Sequence, residues 1–236
     1  MTDLNALTTA NATRWANARL TRNFAAAAKS LVEAKGRYQA VEARTNVPWF
    51  VVAVIHEREA SQRWDTQLGQ GDPLDEVSVH VPAGRGPFKS WEDGAVDALT
   101  NCAPHAARWS DWSVGGSLCL LEQYNGLGYA SRGLPSPYIW SGTDQYRSGK
   151  YISDGVFDPN AVDTQLGCAG LLMTMMGLDR SICFDGKRPP AAAPASASSS
   201  SSGRQSGPPQ PSIANPSKGS IGAFVASLFA AIFRRK

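Results

Sequence analysis

At 236 residues, 42% hydrophobic and 9% aromatic with seven tryptophans, the chain can bury one substantial core, which excludes wholesale disorder and predicts a single folded domain. Its net charge of +3 is unevenly spread, because Lys187, Arg188, Arg204, Lys218, Arg234, Arg235 and Lys236 close the chain without a carboxylate and leave 16 bases against 20 acids before them. A domain at −4 carrying a tail at +7 points to an anionic partner for the tail, either nucleic acid or an anionic membrane surface.

In chain order, residues 22–44 read as one helix, with Phe24, Ala27, Leu31, Ala34, Tyr38 and Val41 recurring at three and four, weakened slightly by Gly36. Thr45-Asn46-Val47-Pro48 is a stop and restart, in which Asn46 suits an N-cap and Pro48 a first turn. The second helix, from Trp49 to about Glu59, is apolar nearly all round through Phe50, Val51, Val52, Val54 and Ile55, the mark of a helix in the domain centre. Between Gln67 and Gly86 the pattern turns to glycine, proline and alternation, and Val77, Val79 and Val81 predict a small β-element within a loop. Helical spacing returns at 91–99, at 113–123 and at 160–176, the last with Val162, Leu166, Ala169 and Met173 in register. The fold class is therefore mainly α with a small β insert, over residues 1–186.

From 187 to 218 the composition collapses to Pro, Ala, Ser and Gly, including the run 198–202, which predicts a flexible linker. Over 219–236 a stripe of Ile221, Phe224, Val225, Leu228, Phe229, Ile232 and Phe233 predicts a short amphipathic helix closed by Arg234-Arg235-Lys236. At roughly 20 Å it is too short for the roughly 30 Å hydrocarbon core and suits an interface instead. The expected partner is an anionic membrane or lipopolysaccharide, with docking onto its own domain the bland alternative.

Cys102, Cys119, Cys168 and Cys183 show neither CxxC nor Cys/His spacing, so free buried thiols are the default and a zinc site is not expected. His56, His80 and His105 lack ligand spacing, and Gly84-Arg85-Gly86 lacks the Lys-Ser/Thr of a phosphate loop, so no cofactor is expected. Residues 1–10 have neither the basic start nor the apolar run of a signal peptide, so synthesis and folding in a cytoplasm is the expectation.

Chemistry concentrates at the charged end of the central helix, where a carboxyl beside apolar packing has its pKa raised and suits a general acid. Glu57 and Glu59 both qualify, but they lie about 200° apart on the helix and cannot share one site. Glu59 shares a face with Val52 and Ile55, and Glu57 one with Phe50, Ala53 and Val54, so periodicity alone does not choose.

The blocks Arg37-Tyr38-Gln39-Ala40-Val41, Val47-Pro48-Trp49, Ile55-His56 with Glu59-Ala60-Ser61, Gly71-Asp72-Pro73-Leu74 and Val81-Pro82-Ala83-Gly84-Arg85 resemble a bacterial and phage group of the lysozyme superfamily. Tyr124-Asn125-Gly126 with Gly128-Tyr129, the run 136–141, Gly149-Lys150-Tyr151 and the run 157–160 continue the resemblance, which covers roughly 37–176 and not the tail. It implies a lysozyme-like α+β fold and a peptidoglycan hydrolase cleaving the β-1,4 bond between N-acetylmuramic acid and N-acetylglucosamine. It also selects Glu59, which precedes the small pair Ala60-Ser61, as general acid.

Asp72 is the expected second carboxylate, a base or water-positioner, although Gly71-Asp72-Pro73 is also an ordinary turn signature. Family members often carry histidines and asparagine where this chain has Gln67-Leu68-Gly69-Gln70. Tyr124 and Asn125 resemble a cleft-bordering Tyr-Asn segment, and with Tyr138 and Trp140 they are the expected glycan contacts. Packing roles compete at each of these four positions, and Trp64, Trp91, Trp109 and Trp112 read as core aromatics. The implied partners are peptidoglycan glycan strands, met as a monomer with no nucleic acid, in the periplasm or wall as a phage-type endolysin or an envelope-remodelling enzyme. A non-catalytic wall-binding or virion module and a chitin-cleaving glycosidase remain open, as does the choice between hydrolysis and lytic transglycosylation.

Overall fold

The computed structural model describes residues 2–153, 155–184 and 186–187; the expected linker beyond Lys187 and the expected tail helix lie outside the described residues. The centre is the helix α4 (Trp49–Ala60), in which every residue from Trp49 to His56 is buried. Because it is apolar on all sides, it must be covered on all sides. That cover comes from α2 (Ala25–Glu33), α3 (Lys35–Thr45), α6 (Val114–Tyr124) and α8 (Cys168–Leu178). The remaining helices are α1 (Leu4–Asn17), which lies along α6, α5 (Trp91–Asn101), which packs on α3, and the single turn α7 (Pro137–Trp140) against α6 and α8.

Four short strands form two antiparallel pairs: β1 (Asp111–Trp112) with β4 (Gly186–Lys187), and the hairpin of β2 (Lys150–Ser153) with β3 (Val156–Asp158). Among the described residues the fold is thus mainly helical with little sheet. No helix among them is long and apolar enough to cross a membrane.

Four expectations need correction. The helix expected over 22–44 is two, α2 and α3, broken at Ala34, whose ψ of 6° leaves the helical range next to Gly36. Asn46 does not open α4; it closes α3 in the left-handed conformation at φ 59°, and Pro48 takes the N-cap position. The late helix starts at Cys168, leaving Val162 exposed in the irregular lead-in. The Ile139 carbonyl oxygen lies 2.5 Å from where a Cβ on Gly167 would stand, so α8 seats directly on α7 at a position only glycine fits.

The fourth concerns the β insert. Residues 77–81 form no strand, and Val77, Val79 and Val81 are 52%, 77% and 61% exposed. Alternation there has no buried face to serve. The backbone N–H groups of Val79 and His80 instead donate to the Asp72 carboxylate, both at 3.0 Å, which takes them out of any ladder.

Candidate active site

The end of α4 splits its two glutamates as helix geometry demands. The chain leaves α4 through Ser61 and Gln62, both left-handed at φ 49° and 57°. Gln62 folds back so that its amide nitrogen donates to Glu57 at 3.0 Å while its amide oxygen accepts from Ser30 of α2 at 2.6 Å. Glu57 is thereby tied to the α2 side. Glu59 faces α7, where the Tyr138 hydroxyl donates to its Oε1 at 2.8 Å.

Glu59 is a half-buried residue whose carboxyl sits among Tyr138, Tyr124, Cys168 and Arg58. Burial pushes its pKa up to about 7, against the opposing pull of the Tyr138 hydrogen bond and the Arg58 charge. Tyr124 brings a buried hydroxyl with no hydrogen-bond partner, and its own ionisation is driven up by burial and then by the Glu59 charge. A carboxyl with a raised pKa and a buried phenol without a hydrogen-bond partner therefore lie near one another at the end of α4.

The other expected site residues divide. Tyr138 is 4% exposed and Trp140 is fully buried, so neither offers a face to a sugar ring; this corrects their expected role as glycan contacts. Tyr138 instead donates to Glu59. Asn125 follows α6, and its Nδ2 donates to Ser136 Oγ at 3.1 Å, fastening the end of α6 to the residue that opens α7 and so placing Tyr138.

Asp72, the expected second carboxylate, is engaged within its own loop. It is 5% exposed, and besides the two backbone donors its Oδ1 meets His80 Nδ1 at 2.6 Å. Burial works to raise its pKa, but the His80 and Val79 donors outweigh it and hold the carboxylate below its ordinary value. Among the described residues no hydrogen bond or ion pair joins Asp72 to Glu59. The turn role accounts for it.

His56 is structural. Its Nε2 lies 2.8 Å from the Arg63 carbonyl, which can only accept, so Nε2 carries the proton and Nδ1 accepts from Tyr38 at 3.0 Å. Burial lowers its pKa to about 4 and keeps it neutral. Trp64 packs edge-on and Trp91 tilted against it, with ring centroids 4.5 and 4.4 Å away.

Periodicity did not flag Arg58 and Asp163, which form a buried ion pair at 3.2 Å between side chains that are 5% and 4% exposed. Nothing local could have found it, since 105 positions separate them. Glu122 was also passed over. It is 1% exposed near the end of α6, and its carboxylate accepts from Asn11 Nδ2 of α1 at 3.3 Å.

Among the described residues no cluster of three or more His, Cys, Asp or Glu is arranged to hold a metal. All four cysteines are unpaired, three of them buried. A cavity of about 610 Å³ lies between α1 and the turn at 130–134, lined by Asp3, Leu7, Ala10, Arg14 and Leu134 among others; its lining includes neither Glu59 nor the four groups around it. No family model, no curated protein and no solved structure matches the chain.

Proposed function

We propose that the protein is a peptidoglycan hydrolase with a lysozyme-like α+β domain, in which Glu59 acts alone as the general acid on the β-1,4 bond between N-acetylmuramic acid and N-acetylglucosamine. The observation that carries this reading is a carboxyl on a partly exposed residue at the end of the buried central helix whose pKa burial pushes up to about 7. Glu59 donates that proton to the glycosidic oxygen as the C–O bond breaks, and the departing sugar leaves as a neutral alcohol.

Positive charge then develops on the remaining sugar. With Asp72 engaged in its own loop, no second carboxylate is assigned to meet it; the ionised Glu59 takes a proton from an incoming nucleophile instead. Water as nucleophile gives a reducing end, and the sugar's own C6 hydroxyl gives an anhydro end. Tyr138 steadies the ionised acid through its 2.8 Å hydrogen bond, and Tyr124 is a nearby unengaged donor.

The basic, amphipathic C-terminal segment supports a second element of the reading, attachment to anionic membrane or lipopolysaccharide beside the wall, as an endolysin-like enzyme requires. Release of soluble fragments from purified sacculi by the full chain tests the catalytic claim. Glu59→Gln is expected to lower the rate by about 10²–10⁴-fold with the fold intact. Equal rates for Glu59→Gln and parent, or no release by a folded parent, would instead favour a non-catalytic wall-binding module.

A further inference from the structure

Four groups face the Glu59 carboxyl from four helices: Arg58 of α4, Tyr124 of α6, Tyr138 of α7 and Cys168 of α8. Burial holds both phenols protonated and pushes the Cys168 thiol up to about 12. Of the four, Arg58 alone is charged at neutral pH. A bare guanidinium in this position would draw the proton off Glu59, so what Arg58 is paired with decides whether the acid is usable.

Its partner is Asp163, in the lead-in to α8. Arg58 places its guanidinium 4.6 Å from the Tyr138 ring centre, donates to the Leu166 carbonyl at 3.0 Å and meets Asp163 Oδ2 at 3.2 Å. Asp163 is held in turn from several sides. Lys150 of β2 reaches Oδ1 at 3.1 Å, the Gln165 N–H donates to the same oxygen, the Ser141 hydroxyl after α7 donates to its carbonyl, and its N–H donates to Tyr146 Oη. So one residue joins the end of α4 and the β2–β3 hairpin through its carboxylate and the exit of α7 through its backbone carbonyl. Burial works to raise the Asp163 pKa, but Arg58, Gln165 and Lys150 prevail and keep it ionised.

We propose that Asp163 is a positioning residue for Glu59: its buried carboxylate draws the Arg58 guanidinium against the Tyr138 ring and offsets that charge before it acts on the acid. This rests on Glu59 being the reacting group of the proposed function. Neither Asp163 nor Arg58 touches the bond that breaks. Their effect is on the pH range over which Glu59 is a donor, which a purely structural ion pair would leave alone.

The test follows Glu59 ionisation in the full chain by its carboxyl infrared band, identified by its loss in Glu59→Gln, beside the pH profile of fragment release from sacculi. Asp163→Asn is expected to move both midpoints down by about one pH unit, so that turnover lost at neutral pH returns on acidification. Asp163→Glu restores most of the shift. An unmoved infrared midpoint in a folded Asp163→Asn protein overturns the proposal, whatever the activity does.

Because an unpaired Arg58 can prevent folding, Lys150→Met is the second variant. It removes a cation that shares Asp163, leaves more of that charge to offset Arg58, and is expected to move the midpoint up; a fall or no change overturns the proposal. The infrared titration does not depend on glycan cleavage. A parent that titrates as expected but releases no wall fragments would reject the proposed function while leaving the Asp163 coupling standing.

Discussion

Two glutamates lie at or near the ends of buried helices, Glu59 on α4 and Glu122 on α6, and burial pushes both carboxyls up to about 7. Their surroundings differ in what the proton can reach. Glu59 is a partly exposed residue with a phenol donating to one carboxyl oxygen and an unengaged second phenol nearby. Glu122 is enclosed against α1, where its Oε1 and the Asn11 Oδ1 are both buried without partners. A protonated Glu122 resolves that by donating from one to the other. A raised pKa therefore marks a buried carboxyl and not, by itself, a reactive one; exposure of the residue and spare donors separate the proposed acid from the clasp.

The comparison breaks most sharply in activity. Glu59→Gln should remove about 10²–10⁴-fold of the fragment-release rate, and Glu122→Gln should leave the rate within a few-fold of the parent. Equal losses in both variants would mean that the two sites had been wrongly distinguished.

Stability reverses the ranking. The folded state holds the Glu122 proton more tightly than the unfolded chain does, so its contribution is complete below the ordinary glutamate range and is lost as pH rises towards about 7. Glu122→Gln removes that loss and allows a reciprocal amide pair with Asn11. Denaturant unfolding at about pH 8 should show the variant more stable than the parent by up to about 3 kcal/mol, the two curves converging on acidification. A variant less stable at every pH would show that the carboxyl is charged and satisfied in the folded state.

Asp72 is expected to follow the opposite sense. Its pKa is held low, so its contribution is present above the ordinary aspartate range and lost as pH falls through the folded value. Asp72→Asn should lower stability at neutral pH by about 1–3 kcal/mol, with fragment release at low temperature changing less than about tenfold. A larger catalytic loss with the fold retained would return Asp72 to the chemistry. The smallest effect belongs to Tyr138→Phe, which removes a donor that favours ionised Glu59. The basic limb of the pH profile should move upward, with a stability change of about 1 kcal/mol.

The sequence carried α4 almost to the residue, because eight consecutive buried positions followed by charge leave few other structures open. Its choice of Glu59 over Glu57 came from no local rule but from the resemblance of the blocks around Glu59, and remains a proposal. Where it misled, a tertiary contact overrode a local pattern: Val77, Val79 and Val81 alternate like a strand, yet Asp72 takes the backbone donors a strand would have used. α1 gave little signal, because it buries only Leu7 and Asn11 and shows no apolar stripe. Tyr138 and Trp140 looked like loop aromatics until α7 turned them inward. The Arg58–Asp163 pair had no local signature, since only the folded chain brings them together.

Mass spectrometry of the material released from purified sacculi by the parent and by Glu59→Gln bears most directly on the central claim. Disaccharide-peptide fragments ending in a reducing or an anhydro sugar, made by the parent and absent with Glu59→Gln, are the predicted result. Fragments of the same kind and yield from both proteins, or none from a folded parent, would contradict it.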